Sequence, residues 1–252
     1  LKTSQKGFHI KNVKILIENQ WVNANYLIRD TRMQIQLDSD LKAKNGQLKI
    51  RINYDYILGE NDGRAAILST KNGKIYEVSY FYPRMCVFDD LRGWDTKPFL
   101  GAGEFYLDYG TIDYSITLPK GMLVMGSGSL LNPKETLNKQ DRTRLEIAKK
   151  SDKTVLIRTP EEVEKKAKKA KNKTLEKVTW HFKMENTRDV AWAASTAFVW
   201  DAAKINLPKG KTALAMSVYP VESVGDTAWS RATEYLKQSV ESFSDKWFVY
   251  PY

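Results

Sequence analysis

The sequence predicts a mainly β fold of antiparallel strands, arranged as a sandwich or saddle, with a lysine-rich helical insertion and an amphipathic helix near the C-terminus. Two observations predict the strands: apolar and polar residues alternate over much of the first 220 residues, and turn dipeptides separate the alternating runs. After residue 226 the apolar spacing changes to three and four, which predicts a helix. Antiparallel sheets with one buried face produce such alternation.

Four alternating runs are the strongest strand signals: Met33–Leu37, Leu48–Tyr56, Ile112–Leu118 and Val178–Met184. Each run is typical of a half-buried strand, because successive side chains of a strand point to opposite faces. Asn45-Gly46 and Asn72-Gly73 are dipeptides that favour tight hairpin turns. A further strand is predicted over Ala213–Tyr219.

The net charge of +10, from 40 Lys and Arg against 30 Asp and Glu, is concentrated in one stretch. Residues 134–177 hold fifteen basic and eight acidic side chains, and therefore +7 of the total. No aromatic residue lies between Lys134 and Leu175, so this stretch offers no surface on which nucleic-acid bases would stack. We interpret it as a solvated, salt-bridged insertion and predict no nucleic-acid partner. A phosphate-binding arm is the alternative interpretation.

A helix is predicted inside this insertion, beginning at residues 159–162 (Thr-Pro-Glu-Glu). Thr159 suits the N-cap and Pro160 the first helical position, and Glu162 completes a capping box. Few apolar residues follow Val163, so we expect this helix to bury very little.

A second helix is predicted near the C-terminus, with Asp226 as its N-cap. Its apolar stripe consists of Trp229, Ala232, Leu236, Val240, Phe243 and Trp247. A stripe of this width requires an apolar partner. We expect that partner to belong to a further domain rather than to the sheets.

The composition excludes several classes of protein. The single cysteine, Cys86, excludes an internal disulfide framework, and its apolar neighbours in Met85–Phe88 predict that its side chain is buried. The only histidines are His9 and His181. No apolar run reaches the roughly 18 residues that cross a bilayer, so we predict no membrane span.

Several unusual segments occur in an order that resembles one known family: Tyr82–Met85 (Tyr-Pro-Arg-Met), Asp89-Asp90, Gly93-Trp94, residues 101–106 (Gly-Ala-Gly-Glu-Phe-Tyr), residues 126–133 and residues 179–195. In this order they resemble the bacterial branch of the membrane alanyl aminopeptidase family of zinc metallopeptidases, the gluzincins. The resemblance extends from about residue 75 to the end of the sequence.

This resemblance implies an N-terminal β-domain over residues 1–212, with the insertion at about 134–177, followed by the beginning of an α+β catalytic domain over residues 213–252. It implies that the longer protein is a zinc-dependent aminopeptidase that removes N-terminal residues from peptides, in the periplasm or after secretion. Members of the family hold zinc with a His-Glu-x-x-His helix, which this sequence lacks. We therefore expect a fragment that is inactive alone and has no zinc site of its own.

Two candidate substrate residues follow from the resemblance. An aminopeptidase must recognise the α-ammonium group of its substrate, and a Glu or Gln of the β-domain contributes to this task in the family. Glu77 is the only carboxylate on the strand predicted over about Lys74–Tyr80, and Tyr80 occupies a position where the bacterial branch often has Gln. The alternative is that Glu77 simply faces solvent.

Four further acidic residues, Asp89, Asp90, Asp95 and Glu104, lie around a loop rich in glycine and tryptophan. We interpret this acidic group as the rim of a substrate cleft or as an interdomain contact, because glycines allow a loop to approach a ligand closely. Two alternatives are turn capping by Asp89 and Asp90, and a calcium site, although the spacing departs from that of an EF-hand loop.

The alternative to an aminopeptidase fragment is a secreted β-sandwich module whose Tyr and Trp side chains bind carbohydrate or protein. The partner expected from the resemblance is a peptide substrate.

Overall fold

The computed structural model describes residues 7–60, 65–101, 106–169 and 176–252. It confirms the mainly β fold class, with several antiparallel sheets and a C-terminal helix. The chain divides into two compact units: residues 1–59 with 82–108, and residues 60–81 with 109–252. The predicted domain boundary at residues 212 and 213 stays a prediction.

The strands, in chain order, are β1 (His9–Ile17), β2 (Gln20–Asn23), β3 (Asn25–Arg29), β4 (Arg32–Gln36), β5 (Ile50–Asp55), β6 (Gly59–Glu60), β7 (Ala65–Thr70), β8 (Gly73–Val78), β9 (Phe88–Asp89), β10 (Gly93–Trp94), β11 (Gly110–Pro119), β12 (Leu123–Gly126), β13 (Ser129–Leu130), β14 (Val155–Arg158), β15 (Lys177–Thr187), β16 (Trp192–Ser195), β17 (Phe198–Asn206) and β18 (Thr212–Pro220). The helices are α1 (Pro133–Thr136), α2 (Lys139–Ala148), α3 (Pro160–Lys169) and α4 (Ala232–Lys246).

The first unit is organised around β1, which lies between β2 and β5 in a three-stranded antiparallel sheet. Ile52 of β5 is paired with the buried Val13 of β1, so the strand predicted around residues 48–56 buries its apolar face as expected. Strands β3 and β4 form a separate hairpin, and β9 and β10 form a short ladder. The unit therefore consists of small sheets with few fully buried side chains.

The second unit contains three sheets, with the strand orders β12-β16-β8-β7-β6, β11-β15-β13 and β14-β17-β18. The strands predicted over Ile112–Leu118 and Val178–Met184 are confirmed as β11 and β15, which pair with each other. Their inward side chains join one large hydrophobic cluster that includes Leu123, Trp180 and Trp200. Ile75 of β8 belongs to this cluster, so the cluster holds the strand that carries Glu77 in place.

The basic stretch at residues 134–177 contributes to this core and is more than a solvated insertion. Strand β14 pairs with β17, and Leu137, Ala148 and Ile157 belong to the large hydrophobic cluster. Arg158 also donates to Asp141 at 2.9 Å in an ion pair whose two side chains are almost fully buried. Counting charges could not reveal these contacts, because the buried residues are few and are spread among exposed lysines.

The capping box predicted for α3 is present. The Thr159 N–H donates to Glu162 Oε2 at 2.9 Å, and Thr159 Oγ1 accepts from the Glu162 N–H at 3.4 Å. Glu162 also accepts from Arg144 Nη1 at 2.8 Å, which links α3 to α2. Val163 is completely buried, so α3 is anchored by one apolar side chain.

Helix α4 begins at Ala232, later than predicted. Asp226 instead accepts from the N–H groups of Ala228 and Trp229, in the turn that leads into a short 3-10 helix at Trp229–Arg231. The helix packs on β17 and β18. Its buried side chains are Thr233 and Ser244, whereas Phe243 of the predicted apolar stripe is 64% exposed. The stripe therefore meets the sheet only in part.

Among the residues that the structure describes, no helix has both the length and the apolar character needed to cross a lipid bilayer.

Candidate functional site

A shallow depression on the second unit contains Glu77, one of the residues singled out from the sequence. Its volume is about 440 Å³, and its lining comes from the ends of three neighbouring strands, β8, β12 and β16. The lining is mainly apolar, with Glu77 as its only charged side chain. The arrangement therefore presents a single carboxylate beside an apolar surface.

The strand register explains why this space is open. Four residues form one row across the sheet. Glu77 of β8 is paired with Ala66 of β7 on one side and with Ala193 of β16 on the other, and Ala193 is paired in turn with Met125 of β12. Directly opposite residues of antiparallel strands project to the same face. On the β16 side of Glu77 the neighbour is Ala193, which lines the depression, and Met125 is the next side chain along the row; Ala66 on the β7 side is 2% exposed and lies outside the lining.

Glu77 does not follow a period-two alternation in β8. Ile75, two residues earlier and on the same face, is buried, and so is Val78 on the opposite face, whereas Glu77 near the end of the strand is exposed. The prediction that Glu77 lies on a strand before the Tyr-Pro-Arg-Met segment is therefore confirmed. Its exposure agrees with the alternative that it faces solvent, and the depression beside it is the feature that the sequence did not reveal.

Gly126 and Ser127 hold one wall of the depression in place. A Cβ atom at Gly126 would lie 2.6 Å from Tyr114 Oη, so a larger residue does not fit where β12 passes Tyr114. Tyr114 Oη donates to the Ser127 carbonyl at 2.7 Å, and the Ala191 N–H donates to Ser127 Oγ at 3.1 Å. These contacts fix the ends of β12 and β16 on either side of the apolar lining.

Tyr80 lies two residues beyond the end of β8 and adopts a left-handed backbone conformation, with φ of 55°. Such a conformation costs a non-glycine residue about 1 kcal/mol and is found where surrounding structure enforces it. The next residue, Phe81, packs edge-to-face on Trp192 with ring centroids 6.4 Å apart. Tyr80 thus marks a sharp turn beside the depression, but its side chain does not line it.

Asp89 and Asp90 belong to the first unit, and the structure gives Asp89 a capping role. Asp89 Oδ1 accepts from the N–H groups of Leu91 and Arg92, at 3.0 and 2.7 Å. Asp89 therefore caps the turn between β9 and β10, as the alternative interpretation predicted for it. Asp90 is exposed, and Glu104 lies outside the described residues. The interpretation of these residues as a cleft rim stays a prediction.

Zinc does not fit the side chains that the structure describes. His181 Nε2 pairs with Asp113 Oδ1 at 2.7 Å, and His9 Nδ1 lies 3.3 Å from Asp55 Oδ1. Within the described residues, no three His, Cys, Asp or Glu side chains form a group that could hold a metal ion. A catalytic zinc requires about three protein ligands, so neither histidine pair supplies a site.

The prediction that the Cys86 side chain is buried is wrong. Its side chain is exposed, whereas its apolar neighbours predicted burial. The adjacent Val87 takes the buried position instead and Phe88 is 64% exposed, so this segment does not enter the core as a continuous apolar run.

Sequence reasoning missed Met125 and Ala193. Both lie in short strands without a long alternating pattern, and only the register across β8, β12 and β16 brings them beside Glu77.

Comparisons with protein-family models, with curated proteins and with solved structures gave no match to this chain.

Proposed function

We propose that this chain is the β-rich part of a zinc-dependent aminopeptidase and that Glu77 helps to hold the α-ammonium group of the peptide substrate. The observation that carries the proposal is the position of Glu77: an exposed carboxylate in a depression, on the strand that precedes the Tyr-Pro-Arg-Met segment. The ordered motifs from Tyr82 to Ser195 support the same proposal through their resemblance to the family.

The chemistry assigned to Glu77 is ion pairing. A substrate ammonium loses part of its hydration when it enters a site, and this loss is costly without an anionic partner. At about 4 Å and an effective dielectric constant of about 20, a carboxylate contributes an attraction on the order of 4 kcal/mol. Because Glu77 is exposed, water and salt reduce this attraction. An apolar lining beside the carboxylate would limit that screening once a peptide covers it.

Zinc, in this proposal, is held by residues outside these 252, because the sequence contains no His-Glu-x-x-His motif. The chain itself binds and orients the amino end of the substrate. It is therefore expected to hydrolyse no peptide on its own.

The test is an assay of the complete gene product that contains this chain, with leucine p-nitroanilide as substrate. We expect hydrolysis that a zinc chelator abolishes and added zinc restores. Glu77→Gln removes the charge at nearly constant size, and we expect it to lower kcat/KM by roughly tenfold to a hundredfold, the usual effect of losing one charged hydrogen-bonding partner.

Glu146→Gln is the matched control, since it removes one exposed carboxylate of the same unit on α2, away from the depression. We expect its kcat/KM to equal that of the unmodified enzyme. A complete gene product without chelator-sensitive activity on any aminoacyl nitroanilide would refute the proposal, as would activity of the 252-residue chain alone.

An exposed aromatic pair in the first unit favours a second candidate function, a module that binds carbohydrate. Phe88 and Trp94 contact each other edge-to-face at 5.2 Å and are 64% and 52% exposed. Exposed aromatic rings provide apolar faces for stacking. Glycan-array binding that is lost in Trp94→Ala would support this function, and an array without binding would exclude it.

A further inference from the structure

The hairpin of β3 and β4 leaves one edge of a sheet open. Within the described part of the chain, β3 pairs with β4 alone, and all five residues of β3 are exposed. Three of them are large and apolar: Tyr26, Leu27 and Ile28 are 36%, 49% and 48% exposed. An exposed edge strand with an apolar, uncharged centre is a template for pairing with another strand.

The register of the hairpin determines which backbone groups of β3 face outwards. Arg29 is paired with Arg32 across a two-residue turn, and such a turn is closed by a hydrogen-bonded pair. Hydrogen-bonded and non-hydrogen-bonded pairs alternate along an antiparallel ladder, so the backbone of Leu27 also bonds to β4. The N–H and C=O groups of Tyr26 and Ile28 therefore point away from β4, towards the open edge.

We propose that this edge pairs with β3 of a second copy of the chain, in an antiparallel register centred on Leu27. In that register Tyr26 of each copy lies opposite Ile28 of the other, and their outward backbone groups form four hydrogen bonds between the copies. The arrangement is twofold symmetric, so each copy contributes the same surface. It joins two hairpins into one four-stranded sheet, whereas a two-stranded hairpin alone is only marginally stable.

Contacts at the two ends of β3 disfavour the neighbouring registers. A register centred on Tyr26 needs the N–H of Ala24, which already donates to the Val13 carbonyl at 3.0 Å. A register centred on Ile28 needs Asp30, whose φ of 53° takes the chain out of the extended conformation. Each of these registers therefore forms fewer hydrogen bonds than the one centred on Leu27.

The side chains agree with this register. Tyr26 and Ile28 lie on one face of β3, so the pairing places an aromatic ring beside a β-branched side chain twice, which is a favourable cross-strand pair. On the other face, the two Leu27 side chains meet on the symmetry axis. The two Arg29 side chains lie opposite Asn25 at the far ends, about 14 Å apart, which exceeds the Debye length at physiological ionic strength.

The first test is the mass of the 252-residue chain in solution. Five residues from each copy form a small interface, so we expect a Kd on the order of 100 μM. Sedimentation equilibrium should show a weight-average mass that rises with concentration from 28.9 kDa towards twice that value. A mass that stays at 28.9 kDa at about 1 mM chain would overturn the proposal in favour of a partner strand from a different protein.

Substitutions at Leu27 identify the edge, because the two copies of this residue face each other on the symmetry axis. Leu27→Lys and Leu27→Glu each place like charges opposite each other, and we expect each variant to associate about tenfold more weakly than the unmodified chain. Mixing the two variants places opposite charges together, so the mixture is expected to associate within about threefold of the unmodified chain. A misfolded variant would not recover on mixing.

Gln34→Lys is the matched control. Gln34 is exposed and lies beside Leu27 on β4, so this variant adds the same charge to the same face of the hairpin, one strand away from the axis. We expect its self-association to equal that of the unmodified chain. Self-association that Leu27→Lys leaves unchanged, or that Gln34→Lys weakens equally, would overturn pairing through β3.

Discussion

Replacement of Thr233 by valine is expected to weaken the attachment of α4 to its sheet. Thr233 is almost fully buried, and its hydroxyl donates to Asp201 Oδ1 at 2.5 Å. Tyr219 Oη donates to the other oxygen, Asp201 Oδ2, at 3.0 Å. Asp201 is 2% exposed, and its two carboxylate oxygens accept from these two hydroxyl groups. The two hydroxyl groups are therefore the main stabilising partners of a buried carboxylate.

The size of the effect follows from the kind of hydrogen bond that is lost. Valine matches the shape of threonine but offers no donor, so Asp201 keeps only Tyr219. A hydrogen bond to a charged group contributes about 1.5–3 kcal/mol, whereas a bond between neutral groups contributes about 0.5–1.5 kcal/mol. We expect Thr233→Val to lower the free energy of unfolding by about 2–3 kcal/mol at pH 7, because the Asp201 carboxyl group loses one of its two hydroxyl donors. This loss corresponds to a fall in Tm of several degrees.

The sign of the pH dependence provides a second test. Burial raises the pKa of Asp201 above its ordinary value near 3.8, although the hydrogen bonds from Thr233 and Tyr219 oppose this rise. Because the folded state binds this proton more tightly than the unfolded state, the resulting stabilisation is complete below the ordinary pKa. It is lost as the pH rises through the raised pKa. Thr233→Val removes one opposing hydrogen bond, so the loss should extend to higher pH.

Urea unfolding at pH 4 and at pH 7, followed by tryptophan fluorescence, measures both effects. Asp201→Asn is the control for ionisation, because asparagine does not titrate, and we expect the part of the pH dependence between pH 4 and pH 7 that comes from Asp201 to be absent in this variant. A Thr233→Val variant within 0.5 kcal/mol of the unmodified chain at pH 7 would show that the short hydrogen bond does not stabilise the fold.

Three further outcomes are expected. Arg158→Met leaves the buried Asp141 carboxylate without its ion-pair partner and should lower the free energy of unfolding by about 3–5 kcal/mol in urea, with most of the loss recovered when Asp141→Leu is added. Gly128→Ala should cost at least about 2 kcal/mol in the same measurement, because φ is 86° there and a Cβ atom would lie 2.4 Å from the Lys183 carbonyl oxygen. Cys86 should react in the folded protein with one equivalent of a thiol reagent within minutes, and protection until denaturant is added would contradict its exposure.

The strands were predictable where one face is buried along a single long element. Alternation in residues 112–118 and 178–184 identified β11 and β15, because each strand of this pair buries its apolar side against the same cluster. The start of α3 was predictable for a different reason: its capping box is a local arrangement in which Thr159 and Glu162 satisfy each other.

Features that depend on distant residues were not predictable in this way. Thr233 faces the sheet because Asp201, 32 positions earlier in the chain, provides a buried acceptor, and no periodic pattern reports such a pair. The apolar stripe predicted for α4 is consequently largely exposed, as Phe243 at 64% shows. Likewise, Glu77 was identifiable as a carboxylate on a strand, but its apolar neighbours Ala193 and Met125 come from other strands.

The register of β8 also has a consequence for the order of assembly. Glu77 is paired with Ala193, which lies 116 residues later in the sequence, and β16 in turn connects β8 to β12. During synthesis, the hairpin of β7 and β8 emerges long before its neighbour on the other side exists. Closing so long a segment is slow compared with forming a local hairpin. Until β16 has been synthesised, β8 is therefore an edge strand on the side that later pairs with β16. The depression beside Glu77 is completed only once Ser195, the last residue of β16, has been added to the chain.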